Sequence, residues 1–267
     1  MLKDITLGQF FPGNSIVHRL DPRLKIVLTV AFICVLFVAK DYFSYGIMFL
    51  WLAAGIYFAK IKLKTVLKNL KPLLFIIIFT AVLNLLYTPG TPLVSFWIIT
   101  ITWEGIKTAF FMAFRICMLI SGTYILTYTT SPILLTDGLE RLMSPLKKIK
   151  FPVHELAMMM SIALRFIPTL IEETEKIMNA QKARGADFES GKLIERAKAL
   201  IPILIPLFVS AFRRADELAV AMECRCYHGD NGRTRMRQLK LIKEDFVVLI
   251  ISMLFVAATI TLGVFGL

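Results

Sequence analysis

Five apolar stretches without a single aspartate or glutamate set the limits on how this chain can fold: residues 24–39, 42–59, 70–87, 108–129 and 246–265. A helix that crosses a bilayer needs about 20 predominantly apolar residues, with shorter ones tolerated. In hydrocarbon every backbone N–H and C=O must be satisfied inside the segment, which selects helices. The sequence therefore predicts an all-α, polytopic membrane protein with about five transmembrane helices. The first two stretches are separated only by Lys40-Asp41 and read as a tight hairpin. With 57% hydrophobic residues, the chain is too apolar for an ordinary soluble domain.

The charge pattern orients these helices. The net charge is +12, a value that could suggest nucleic acid. The basic residues, however, alternate with the apolar stretches as a topology signal does. Lys3, Arg19, Arg23 and Lys25 come before or at the start of the first stretch; Lys60, Lys62, Lys64, Lys68 and Lys71 cluster between the second and third. Nineteen Lys and Arg fall in 130–245, whereas the opposite loops carry only Lys40 and Lys107. The N-terminus and segment 130–245 are thus expected in the cytoplasm, with the lipid membrane as a partner and no nucleic acid. Asp4, His18, Arg19 and Asp21 interrupt the first 23 residues, so no cleavable signal peptide is expected. Asp21-Pro22 is a natural helix start, with Asp as N-cap and Pro at the first position.

Segment 130–245 holds two further apolar stretches, 156–171 and 199–212. Read as crossings, they would put Lys176, Lys182, Arg184, Lys192, Arg196 and Lys198 outside, against the charge bias. Arg165 and Pro168 break the first stretch, and Pro202 and Pro206 the second. Long, kinked amphipathic helices in or under the inner membrane surface fit better. Three regions follow: membrane helices in 1–130, a cytoplasmic or interfacial long-helix domain in 131–228, and a basic loop with the last transmembrane helix in 229–267.

Two arginines occupy the same local frame at the ends of these helices. One frame is Ala180-Gln181-Lys182-Ala183-Arg184-Gly185; the other is Ala221-Met222-Glu223-Cys224-Arg225-Cys226. A single basic residue in a last turn needs no explanation beyond the helix dipole, worth about 0.3–1 kcal/mol. Two in matched frames suggest paired plugs, side by side, because a guanidinium offers a rigid fork of donors for an acidic socket.

The remaining candidates each have a plainer reading. Cys224, Cys226 and His228 offer three ligand types, but a closed zinc site wants four, and residues two apart on a helix face different ways. No metal site is expected, and the four cysteines give no disulfide framework. Met158, Met159 and Met160 serve either as apolar filler or as an adaptable surface for several partners. Arg115, inside a span, is a functional candidate or a structural pair within the bundle. Arg233, Arg235, Arg237, Lys240 and Lys243 read as anchors beside anionic lipid. There is no phosphate-cradling Gly-x-x-x-x-Gly-Lys-Ser/Thr loop. A permease lining its own substrate path would want more polar span residues than Arg115, Asn84 and scattered Ser and Thr. A membrane enzyme would want clustered intramembrane acids or histidines.

The chain resembles, from end to end, the transmembrane (T) component of energy-coupling factor (ECF) importers, a branch of the ATP-binding-cassette (ABC) transporters. The likeness rests on His18-Arg19-Leu20-Asp21-Pro22-Arg23-Leu24-Lys25, Thr129-Thr130-Ser131-Pro132, Arg165-Phe166-Ile167-Pro168, Ala180 to Gly185, and Arg213 to Ala219 leading into Ala221-Met222-Glu223. The resemblance implies two coupling helices whose arginines each enter a groove of one of two ATPase subunits. Ala183, Arg184 and Gly185 match that pattern unchanged; at the second site only Arg225 matches, with Cys224 and Cys226 as its neighbours. It also implies a non-catalytic subunit that binds no cofactor, with ATP hydrolysed by the partner ATPases. A substrate-binding membrane (S) component, exchangeable among several, would complete the complex for uptake of vitamins or other micronutrients. Met158, Met159 and Met160 are its candidate contact.

Overall fold

The structure is a computed structural model and describes residues 10–39, 41–96, 99–186, 188, 193–229 and 238–265. Lys3, Asp4, Lys40, Lys192, Arg233, Arg235 and Arg237 lie outside the described residues, as does the side chain of Arg196.

The helices, in chain order, are α1 (Ile16–Arg19), α2 (Pro22–Val38), α3 (Tyr42–Ala59), α4 (Leu63–Leu70), α5 (Leu74–Tyr87), α6 (Trp103–Thr129), α7 (Pro132–Leu142), α8 (Val153–Ala183), α9 (Leu193–Glu223) and α10 (Lys243–Phe265). The sequence pattern predicts helices only. A short antiparallel ribbon, β1 (Pro92–Phe96) with β2 (Ile99–Thr102), stands between α5 and α6 in addition, pairing Val94 with Ile101 and Phe96 with Ile99.

Among the described residues, five helices are long and apolar enough to cross a membrane: Tyr42–Ala59, Leu63–Tyr87, Trp103–Thr129, Val153–Ala183 and Lys243–Gly263. Four coincide with expected stretches. The expected 24–39 span forms α2, whose 17 residues fall just short, and α8 takes its place by length and composition. Tertiary packing decides where a helix belongs, and α2 is a full member of the membrane bundle.

The described residues fall into two compact units, one made of 10–138 and 239–265, the other of 139–238. In the first, α2, α3, α6 and α10 pack around Phe32, Val35, Leu36, Tyr45, Met48, Leu52 and Met118. Leu36 and Met48 are fully buried. Lipid is as apolar as leucine, so such helices associate by close packing. Gly122 on α6 shows this: a Cβ there would lie 2.7 Å from the Phe32 ring. Trp51 meets Phe32 edge-on at 5.3 Å and stacks on Phe255 at 6.2 Å. α5 packs on α6 yet contains no buried residue, and Phe75, Ile78 and Phe79 stand exposed. Such a face would aggregate in water and suits contact with acyl chains.

The charged groups of Asp21, Arg23, Lys25 and Arg115 are paired, whereas the buried Ser44 Oγ and Asn69 Nδ2 make no hydrogen bond. Asp21 caps α2, its Oδ1 accepting from the Arg23 backbone N–H at 2.9 Å, with Pro22 in the first turn. Nη2 of Arg23 donates to Asp21 Oδ2 at 2.8 Å and to the Leu239 carbonyl at 3.2 Å. Lys25 is 6% exposed, and its Nζ donates to the carbonyls of Thr129 and His18 and to Thr130 Oγ1, at 2.9, 3.2 and 3.3 Å. That ammonium ties the start of α2 to the end of α6. Arg115 is satisfied in the same way: Nε donates to the Tyr45 hydroxyl at 2.7 Å and Nη2 to the Ala39 carbonyl at 3.1 Å. It therefore holds the C-terminal end of α2 against α3 and α6, which is the structural reading of this intramembrane charge.

Candidate functional site

The second unit carries the two arginines. Here α8 and α9 are each continuous for 31 residues, with Pro168 inside the first and Pro202 and Pro206 inside the second. They pack antiparallel. Phe166 on α8 lies under the Arg214 guanidinium, 5.9 Å from the ring centroid. Further along α8, Glu173 accepts from the Ser210 hydroxyl and, at 3.2 Å, from Nη2 of Arg214. Further still, Nε2 of Gln181 donates to the Pro202 carbonyl at 3.5 Å. As one helix advances, its contacts on the other recede. Between them lies a groove of about 260 Å³ lined by Phe166, Leu170, Leu218 and Met222 among others.

This arrangement changes the meaning of the paired frames. The arginines are alike locally but stand at opposite ends of the helix pair, not side by side. Arg184 ends α8 on the side where α9 begins. Arg225 ends α9 toward the half of α8 that bears Met158, Met159 and Met160. Of these three, Met159 and Met160 are exposed and Met158 is half-buried.

The local chemistry of the two ends is one motif built twice. After Ala183, the last residue of α8, Arg184 is the C-cap. Gly185 has φ +87°; its N–H donates to the Lys182 carbonyl at 3.0 Å, and the Ala186 N–H donates to the Gln181 carbonyl at 3.0 Å. At the end of α9, Cys226 has φ +55°; its N–H donates to Glu223 at 2.8 Å, and the Tyr227 N–H donates to Met222 at 3.1 Å. Both are Schellman ends, with the arginine at the cap and the next residue left-handed. Glycine adopts that conformation freely; cysteine does so at a cost of about 1 kcal/mol. Because the last carbonyls are satisfied by the backbone, the side chains of Arg184 and Arg225 are not needed as caps. Both are exposed, as are Ala183, Gly185, Cys224 and Cys226.

No group of three His, Cys, Asp or Glu is placed to hold a metal among the described residues. Nδ1 of His228 donates to the Cys226 carbonyl at 2.7 Å, which turns that nitrogen from a ligand into a strut. Sequence reasoning missed Glu173, Ser210 and Arg214, the polar crossing of the two helices. The available signal was a carboxylate and an arginine facing inward from otherwise apolar helical stripes.

A polytopic bundle joined in sequence to a long helix pair with two arginine ends is compatible with a membrane transport subunit. A family model described as cobalt transport protein matches residues 13–236. The chain is 54% identical over 255 residues to the energy-coupling factor transporter transmembrane protein EcfT of Ruminiclostridium cellulolyticum, covering 96% of each chain. To the protein of the same name from Clostridium kluyveri it is 51% identical over 262 residues, 97% of each. To that of Lactococcus lactis subsp. cremoris it is 47% identical over 250 residues, 93% of this chain and 94% of the relative. The chain belongs to this family as the transmembrane component of an energy-coupling factor transporter, and it is not a catalytic enzyme.

Proposed function

We propose that this chain links two cytoplasmic ABC ATPase subunits to a substrate-binding S component, for uptake of vitamins or other micronutrients. Residues 131–228 are the cytoplasmic coupling domain, and the N-terminus lies on the same side. Arg184, with Ala183 and Gly185, docks in one ATPase; Arg225, with Cys224 and Cys226, docks in the other. ATP is hydrolysed by those partners and not by this chain. Met158, Met159 and Met160 contact the S component, and the exposed, unbranched methionines suit exchange among several such proteins.

The observation that carries this reading is the repeated Schellman end, with an exposed arginine at the cap and each copy at the far end of a different helix. Two equivalent plugs on opposite arms suit two equivalent sockets. Closure of an ATPase pair on ATP would then move the arms against each other and bias the S component between its two states.

The test is Arg184→Glu and Arg225→Glu, singly and together, in the assembled transporter. Each single change should weaken retention of the ATPases, since loss of a buried interface arginine costs about 2–4 kcal/mol. The double change should abolish uptake while leaving the chain in the membrane. Normal uptake by the double variant would end this proposal.

A further inference from the structure

A second site lies in the membrane unit, at the end of α3. A cavity of about 460 Å³ opens there, walled by residues 11–15, His18, residues 59–62, Thr65 and Tyr128. Two of its lining residues are lysines, Lys60 and Lys62, and none is an aspartate or glutamate. Asn14, Ser15 and Thr65 add amide and hydroxyl groups.

The wall is built, not loose. The carbonyl of Phe11 can only accept, so Nε2 of His18 carries a hydrogen and donates to it at 3.0 Å. Nδ1 is hydrogen-bonded to the Ser15 hydroxyl at 2.6 Å. Gly13 passes close over this ring; a Cβ there would lie 2.9 Å from it. The N–H of Phe11 donates to the Tyr128 carbonyl at 3.2 Å, fastening the loop to the end of α6.

Lys60 gives a second, independent pointer. It is the C-cap of α3 with φ +55°, a position that glycine or asparagine fills without strain. A lysine kept in a left-handed cap costs stability, and such outliers collect where a side chain has work to do. Lys60 also follows a helix long and apolar enough to cross the membrane, so it stands at headgroup level. Beside it, Leu63 and Leu67 of α4 are 68% and 66% exposed, an apolar flank next to the cationic cavity. Cations at headgroup depth with bare leucines alongside match one class of ligand: a phosphate that carries acyl chains.

We infer that this cavity binds the phosphate headgroup of an anionic phospholipid, with Lys60 and Lys62 as its charge partners. The cavity shares no lining residue with the arginine ends, so Arg184→Glu with Arg225→Glu should leave it intact even if the docking reading fails.

The experiment is native mass spectrometry of the full chain with added phosphatidylglycerol or phosphatidylcholine, in wild type and in Lys60→Gly with Lys62→Gln. Phosphatidylglycerol retention should fall about fivefold for each lysine removed, and phosphatidylcholine retention should not change. Lys60→Gly relieves the cap, so the variant's melting temperature should hold or rise, which separates lost binding from lost folding. Lys64→Gln with Lys68→Gln, outside the cavity, should behave as wild type. Unchanged phosphatidylglycerol retention in the cavity variant, or an equal loss in the control variant, would overturn the assignment. Displacement of phosphatidylglycerol by inorganic phosphate as readily as by the lipid itself would assign the cavity to a small soluble anion and overturn the lipid.

Discussion

The backbone N–H of Asp21 donates to Oδ1 of Asp245 at 2.9 Å across 224 positions of sequence. Oδ2 of Asp245 accepts from the Ile242 N–H at 2.7 Å, so the same carboxylate closes the start of α10 as half a capping box. Asp245 is 2% exposed. One side chain thus fastens the starts of α2 and α10 together. Asp245→Ala leaves the buried N–H of Asp21 and the part-buried N–H of Ile242 without this acceptor, at about 1–3 kcal/mol for the loss. A melting temperature in detergent equal to wild type would show that water or other groups replace the carboxylate at no cost.

Asp21 makes this corner sensitive to acid. Burial alone pushes its carboxyl up, but the hydrogen bonds and charge of Arg23 outweigh that and hold it below its ordinary value. A carboxyl lowered in the folded state adds stability above its unfolded value, near pH ~3.9, and loses it as pH falls through the folded value. In Arg23→Gln the guanidinium's hydrogen bonds and charge are lost, so burial is opposed only by the backbone N–H at position 23 and the charge of Lys25. Wild type should therefore melt above Arg23→Gln at neutral pH, and the gap should shrink as pH falls below ~4. A gap that widens on acidification contradicts the assignment.

The two Schellman ends predict opposite responses to exchanging their left-handed residues. Cys226→Gly should stabilise by about 0.5–1 kcal/mol, and Gly185→Ala should destabilise by a similar amount. No atom lies within 4 Å of a Cβ built on Gly185, so the second effect is backbone strain without a clash. Proteolysis at each helix end, compared between variants, measures it; identical rates in all four states of the pair would show that the caps do not govern these ends.

Glu173 is where α8 and α9 are joined by polar contact. Glu173→Ala should lower the stability of the helix pair by about 1 kcal/mol, because the contact is only partly buried. Ser210→Ala and Arg214→Met should add little once Glu173 is gone. Full additivity of the three changes in a double-mutant cycle would refute a shared hub.

What the sequence made legible, and what it did not, follows the range of the forces involved. The helix start at Asp21-Pro22 and the glycine end at Gly185 are local signals, and both are seen. Four of the five expected spans meet the length and hydropathy of a crossing helix. Cys226 gave no such warning, because cysteine has no left-handed preference. Lys25 belongs to the basic residues that orient the first span, and its burial with three hydrogen bonds is something only the fold can decide. Ile99-Thr100-Ile101-Thr102 was a β-branched alternation that could have revealed the ribbon. The opposite placement of Arg184 and Arg225 could not be read at all, since it depends on the antiparallel contacts of Phe166, Glu173 and Gln181.

The placement of the prolines turns that contact into a fulcrum. Pro168 precedes Glu173, and Pro202 and Pro206 precede Ser210, so neither helix contains a proline or glycine between the crossing and its arginine. Each arginine rides a stiff beam, about 16 Å from Glu173 to Arg184 and about 22 Å from Ser210 to Arg225 at the helical rise. A scissoring of about 10° at the crossing would sweep each tip through about 3–4 Å, with little of the motion lost to bending along the way.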